Sequence, residues 1–279
     1  MNRPDRSELR PQPKATFEPT LTPATVEHYR EHGFTWIERI TSDEEIEWLR
    51  EVFDFLFESK MGGFAGGYFD LARPYDSEGI DRLPQVLVPE LAIPELGETA
   101  FRRNARAVAA VLLSVAPEAL EVWGHMIYKP PRIGNVTPWH QDEAYWDPGL
   151  HYTALGAWLP LDDVDLENGC MCFIPGSHRQ DVLPHRHIND DPAVHGLETT
   201  VDVDDSRMVA VPLPAGGATF HHSRLLHYTP PNRSNRPRRA FASEYQTTSQ
   251  PSERPVDRSW WIEGQAAWEG RQPIQSANS

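Results

Sequence analysis

Lysine is nearly absent from this chain of 279 residues: Lys14, Lys60 and Lys129 are all there is, and Lys and Arg together number 26 against 41 Asp and Glu. The formal net charge is −15, and no stretch concentrates basic residues. That excludes the electrostatic footprint of a nucleic-acid binder. Cysteine is equally scarce. Cys170 and Cys172 stand two apart, where a disulfide would be strained. Both are expected as buried free thiols in a reducing compartment. No apolar run reaches the length of a membrane span. Met1–Pro19 is polar and proline-rich, without the apolar centre of a secretory signal. The expectation is a disordered segment over 1–19 and a cytoplasmic location. An acidic surface also favours neutral or cationic small ligands over polyanions.

What is present suits one domain with its own core. Leu21 to Gly33 reads as a helix and Phe34 to Ile40 as a short strand. Ser42 opens a capping box, in which Ser42 accepts from the Glu45 amide while Glu45 reaches back. Ile46, Leu49, Phe53 and Leu56 then follow at helical spacing. Met61 to Asp76 is rich in glycine and aromatics and has no period. It reads as a loop, either a plain connector or a mobile lid carrying Phe64 and Tyr68 to a substrate. A third helix, about Gly97 to Val115, would bury Phe101, Ala105, Val108 and Leu112.

From Glu121 the texture changes. Short β-branched and aromatic segments alternate with Pro, Gly and Asn turns: Val122–Tyr128, Tyr152–Leu161, Cys170–Ile174, Arg207–Val211, Ala218–His222 and Ala240–Gln246. This reads as a sandwich or barrel. Asn168-Gly169 is a hairpin signal. His178 to Asp205 is a polar insertion whose His185, His187 and His195 are expected in solvent. Trp260, Trp261 and Trp268 mark a C-terminal cover. The one-sided helices need the β part to bury them, so a single domain is expected over 20–279, helical over 20–120, with the β core at 121–250 and the cover at 251–279.

The chemistry concentrates in Pro138-Trp139-His140-Gln141-Asp142. On a strand, His140 and Asp142 share a face and can grip one metal ion from one side. A distant second histidine would complete a facial triad and leave three coordination positions open, enough for a bidentate 2-oxo acid and O₂. A structural zinc site would fill its positions with protein ligands, and no cysteine pairs suit one.

Further motifs follow in order: Ala157-Trp158, Asn168-Gly169-Cys170, Pro175-Gly176-Ser177-His178, Leu226-His227, Pro231-Asn232-Arg233-Ser234 and Arg238-Arg239-Ala240. Together with Trp-His-Gln-Asp at 139–142 they resemble the phytanoyl-CoA dioxygenase family of Fe(II)/2-oxoglutarate oxygenases, over about residues 20 to 247. The resemblance implies a mostly β fold: a double-stranded β-helix, that is, a cupin-like jelly-roll core, with the N-terminal helices packed on one sheet. It implies Fe(II), 2-oxoglutarate and O₂ as cofactor and co-substrates, and His227 as the distal metal ligand after the Gly216-Gly217 turn. It implies Arg238, eleven residues beyond His227, as the co-substrate anchor, a role that suits a planar guanidinium. Trp158 and Gln141 match residues beside the co-substrate and the metal motif. Arg239 would face the other way. Two departures stand out. Tyr228 follows the distal histidine where glycine is common, and Ala240 stands where many such enzymes place a serine. A second carboxylate anchor is therefore sought among Lys129, Thr153 and Tyr128.

The resemblance also bears on outcome. Related halogenases carry a small residue at the position of Asp142, so hydroxylation, desaturation or ring closure is expected instead. The substrate is expected to be a small natural-product intermediate, with Phe64, Tyr68, Tyr145 and Trp146 near it. No nucleic acid or membrane is expected as a partner. The competing readings are an acyl-CoA hydroxylase and a cupin-like metal protein without this activity.

Overall fold

The computed structural model describes residues 6–75, 77–253 and 258–269. Its helices start and stop on local signals. α1 (Pro23–His32) begins where Thr22 accepts from the Thr25 amide and ends at Gly33, whose φ of +84° is cheap only for glycine. α2 (Asp43–Glu58) is capped by Ser42, which accepts from the Glu45 amide. α3 (Ala100–Leu113) is capped by Thr99. α4 (Ser259–Glu269) follows the β core. Among the described residues, no helix is long and apolar enough to cross a membrane.

Half of the capping box forms. The Glu45 carboxylate does not reach back to its own helix. It is fully buried and accepts from the Ala100 and Phe101 amides at 2.7 and 3.0 Å, and from the Thr41 hydroxyl. The first amides of α3 have no partner in their own helix, and the helix dipole favours an anion there. Glu45→Ala is expected to destabilise the fold by about 3 kcal/mol, because it orphans buried donors to a charged acceptor. A chemical-denaturation midpoint equal to wild type would refute this.

The strands begin with β1 (Phe34–Ile37), β2 (Tyr68–Asp70), β3 (Pro84–Leu87), β4 (Leu120–Lys129) and β5 (Thr137–His140). Next come β6 (Leu150–His151), β7 (Ala154–Pro160), β8 (Met171–Phe173), β9 (His185–His187) and β10 (Leu197–Thr199). The last are β11 (Val209–Val211), β12 (Ala218–His222), β13 (His227–Thr229), β14 (Arg238–Thr247) and β15 (Gln250–Pro251). The larger sheet has the order β1-β12-β7-β14-β4-β3-β2 and the smaller one β11-β8-β13-β5, all antiparallel. This is the jelly roll expected. The helices pack on the outer face of the larger sheet, where Met126, Leu155, Leu159, Phe220, Phe241 and Tyr245 meet Leu49, Phe53, Phe101 and Val108. A second core lies between the sheets and holds Trp158, Ala240 and Ala242 with Cys172, Phe173 and Val211. Both cysteines are buried and free.

Four expectations are corrected. Residues 9–17 do not form a disordered lead-in. Leu9 packs on the helical core, Trp48 Nε1 donates to the Arg10 carbonyl at 2.9 Å, and Asn104 Nδ2 donates to the Phe17 carbonyl at 2.7 Å. The segment is polar along most of its length, but its backbone carbonyls satisfy helix side chains, which composition does not show. Residues 1–5, 254–257 and 270–279, where the ends of the expected lead-in and cover fall, lie outside the described residues. The stretch 61–76 contains a strand, β2, which pairs with β3 through Tyr68↔Val86; Asp76 is outside the described residues. Asn168-Gly169 is a turn, with Gly169 at φ +104°, yet it joins β7 to β8 across the two sheets and so is a corner, not a hairpin. The insertion 178–205 folds back as the β9–β10 ribbon and buries His185 and His187.

Candidate active site

Pleating puts alternate residues of each strand of the larger sheet between the two sheets. On β14 these are Arg238, Ala240, Ala242 and Glu244. Register places His125 and Trp158 beside Ala242, and Trp123 and Gly156 beside Glu244. Across the gap, β5 and β13 place His140 directly opposite His227, with ring centroids 4.1 Å apart. Gln141 is still extended, so Asp142 returns to the face of His140 although it opens a 3₁₀ turn.

His140, Asp142 and His227 each offer one ligand atom, all within 4.8 Å of one another. Asp142 Oδ1 lies 3.3 Å from His227 Nε2 and 3.9 Å from His140 Nε2. Each imidazole donates from Nδ1 to a backbone carbonyl: His140 to Pro138 at 2.8 Å and His227 to Leu225 at 2.9 Å. That tautomer leaves both Nε2 lone pairs facing the carboxylate, the donor arrangement a divalent ion requires. Electrostatics differ between the three groups. Burial and the neighbouring His227 lower the His140 pKa to about 3, keeping that ring neutral. Burial opposes ionisation of Asp142, but His227 and His221 overcome it and hold the carboxyl well below its ordinary range. Burial also pulls His227 down, yet Asp142 outweighs it and raises the pKa.

The three side chains open into a cavity of about 370 Å³. Arg238 and Trp158 line the same cavity, with the guanidinium carbon 5.7 Å from the indole ring. Arg238 is 1% exposed. Its one hydrogen bond among the described residues is long, 3.5 Å from Nη1 to the Ile127 carbonyl, and its Nε has none. Burial lowers its pKa to about 9, against Asp162 and Cys170. A buried cation left this bare is arranged for an anionic ligand. Arg239 faces the helices and pairs with Asp54 and Asp162.

Of the residues expected near substrate, Phe64, Tyr145 and Trp146 line the cavity. Tyr68 does not. It is on the helix side of β2, where its hydroxyl donates to Asp81 at 2.9 Å and its ring meets Phe57. Gln141 is fully buried and off the cavity wall. Its amide donates to the Arg224 carbonyl at 2.6 Å and accepts from the Leu183 amide at 2.7 Å, strapping the insertion to the metal motif. Lys129, paired with Arg238 across β4–β14, is no surface lysine. Its ammonium donates to the Thr229 and Pro230 carbonyls at 2.9 and 2.7 Å. Burial and Arg238 hold it well below the ordinary lysine range. Tyr128, with its ring against Phe53 and Phe57, also points to the helices. Thr153 pairs its carbonyl with the Thr247 amide at 3.1 Å, at the far end of β14 from Arg238. None of these three side chains lines the cavity: Tyr128 faces the helices, Thr153 lies at the far end of β14, and Lys129, on the same face as Arg238, has its ammonium taken up by two carbonyls.

The cavity wall also holds Trp123, His125 and Glu244, which motif reasoning did not single out, His221, one of the pair His221-His222 beside a segment read as an inward strand, and His195, which was expected in solvent. Two-residue steps from Arg238 along β14 would have found Glu244. His195 comes from the insertion and carries no such signal.

Together, jelly roll, facial triad and bare arginine define a non-haem iron oxygenase that uses 2-oxoglutarate. Comparison with known proteins supports this. The phytanoyl-CoA dioxygenase family model matches residues 29–240, and the chain belongs to that family. EvdO2 from Micromonospora carbonacea var. aurantiaca, solved in complex with 2-oxoglutarate, is 38% identical; the match covers 88% of this chain and 98% of that one, with a TM-score of 0.76. Phytanoyl-CoA dioxygenase domain-containing protein 1 of Danio rerio is 27% identical over 79% of this chain and 88% of its own length. The peroxisomal phytanoyl-CoA dioxygenase of Mus musculus is 26% identical over 78% of this chain and 66% of its own.

Proposed function

We propose that this oxygenase oxidises a C–H bond of a small, uncharged natural-product intermediate. His140, Asp142 and His227 would hold Fe(II), and Arg238, beside Trp158, would hold the distal carboxylate of 2-oxoglutarate. Iron bound there supplies oxidation of substrate by O₂, coupled to the conversion of 2-oxoglutarate into succinate and CO₂. The observation that carries the reading is that triad and arginine share one cavity.

The protein's own contributions follow from its residues. The two Nδ1–H bonds to backbone carbonyls keep the imidazoles aimed. Ala240 and Ala242, small and inward, leave room between Arg238 and the triad. Leu87, Val88, Trp123, Trp146 and Met171 exclude water from the reacting region.

The same wall supports the substrate class. Among the described residues Arg238 is the only Lys or Arg on it, and its charge is needed by 2-oxoglutarate, so none of them offers a second cation to the phosphates of a CoA thioester. Glu244 is 5% exposed and its Oε2 lacks a hydrogen-bond partner among the described residues. Burial, then Asp142, raise its pKa well above the ordinary range, which favours the protonated carboxyl facing the cavity. That group suits a hydroxyl on the substrate.

The test is succinate formation by the Fe(II)-loaded protein against two panels, hydroxylated natural-product scaffolds and branched acyl-CoA thioesters. Stimulation by the first panel with a matching oxidised product is expected. Stimulation by the thioesters alone would overturn the substrate class. No metal-dependent succinate with or without substrate would overturn the activity.

A further inference from the structure

Asp142 has two oxygens, and the structure gives each its own neighbour. Oδ1 faces the two imidazoles of the triad. Oδ2 lies 3.0 Å from Nε2 of His221. His221 is 4% exposed, on β12, and its ring centroid is 4.6 Å from that of His227. A carboxylate only accepts, so Nε2 of His221 carries the proton and donates; Nδ1, buried, has no partner among the described residues. The fold makes room for this contact. Register sets His221 opposite Gly156, and a Cβ on Gly156 would come within 2.7 Å of His221 Nε2 and 2.8 Å of its Cε1. Phe173 flanks the ring from the smaller sheet, at 5.6 Å between centroids. The imidazole is thus held in one orientation by glycine on one side and an aromatic on the other.

We propose that His221 is the positioning residue of the metal centre, and that its hydrogen bond to Oδ2 commits Asp142 to binding metal through Oδ1 alone. This inference rests on the assignment of Asp142 as a ligand. The consequence concerns how many positions stay open. A carboxylate free to rotate can chelate with both oxygens and take a position that a bidentate 2-oxo acid and O₂ need. With Oδ2 held, three positions stay open. The amide of glutamine can supply an N–H near the same place; phenylalanine and methionine fill the space without a donor.

The experiment uses the full-length metal-free protein and Co(II) alone as probe, read by calorimetric affinity and by the visible absorption bands that report coordination number. Wild type, His221→Gln, His221→Phe and His221→Met are compared, with thermal melts of the metal-free proteins as fold controls. Donor-free variants are expected to bind Co(II) about 10–100-fold more weakly, the usual cost of losing a group that supports a ligand. Their absorption bands should change, while His221→Gln stays within about threefold of wild type with its bands unchanged. Wild-type affinity and bands in a folded donor-free variant would overturn the proposal. So would equal loss in His221→Gln and His221→Phe, which would make the imidazole itself a ligand. If neither donor-free variant folds, His221→Gln decides alone: wild-type bands support the proposal and altered bands overturn it. An Asp142→Ala control that binds Co(II) like wild type would instead remove the assignment of the triad.

Discussion

Asp142→Ala is expected to abolish metal-dependent turnover of 2-oxoglutarate, with metal affinity falling by more than about 100-fold, beyond the loss typical of a merely supporting residue. The carboxylate is the only anion of the triad, and both imidazole Nε2 atoms face it, at 3.3 and 3.9 Å. Without it, two neutral imidazoles would have to hold a divalent cation in a largely buried site, where an uncompensated charge is costly. The substitution also leaves the His221 donor without its acceptor. His140→Ala should behave alike, because a cross-strand partner of His227 is lost. Melts of the metal-free variants are the fold controls, and Asp142→Ala is expected to melt below wild type because it orphans the buried His221 donor. The measurement is iron content after reconstitution together with succinate formation. Undiminished turnover by Asp142→Ala would remove the metal assignment.

Why was so much of this site legible before any coordinates? A two-residue step on an extended chain is rigid geometry, so His140 and Asp142 had to share a face, and 238 and 239 had to face opposite ways. Long amphipathic helices behave similarly: Ile46, Leu49 and Phe53 all lie in the core. Other features depend on partners far away in sequence. Nothing local to Glu45 says that its best donors are the amides of residues 100 and 101. Gln141 sits between two ligands and looked like part of the binding surface, yet alternation turns it outward to brace residues 183 and 224. Thr153 and Lys129 were placed by chemical type. Distant partners decided against both: Thr153 meets the far end of β14 from Arg238, and Lys129 has its donors on the Thr229 and Pro230 carbonyls. Tyr68 failed because glycine-rich surroundings hid a strand whose aromatic faces the helices. His221 was legible only as one of a histidine pair beside an inward strand. Its partner lies 79 positions earlier in the chain.

Arg238→Leu is expected to weaken 2-oxoglutarate binding by about 10²–10³-fold, matching the lower part, about 3–4 kcal/mol, of the cost of leaving one member of a buried ion pair alone. Co(II) or Fe(II) affinity should be unchanged, because the residue does not touch the triad. The same substitution carries a second expectation of opposite sign. In the protein without co-substrate, Arg238 is a buried cation with one long hydrogen bond and no ion pair among the described residues. Burial has brought its pKa down from 12.5 to about 9. A basic group lowered on folding binds fewer protons in the native state than in the unfolded one between those values. It therefore opposes folding below about pH 9, and stability recovers as pH rises above it. At neutral pH, leucine removes that penalty. The co-substrate-free variant should melt no lower than wild type, whereas 2-oxoglutarate should raise the melting temperature of wild type and not of the variant. A residue kept for packing would do the reverse: its loss would lower the melting temperature and leave the 2-oxoglutarate response intact. Calorimetric titration and paired melts, with and without 2-oxoglutarate, separate the two roles in one protein preparation. Retention of wild-type affinity for 2-oxoglutarate would mean that this cation, buried and bare, is waiting for something else.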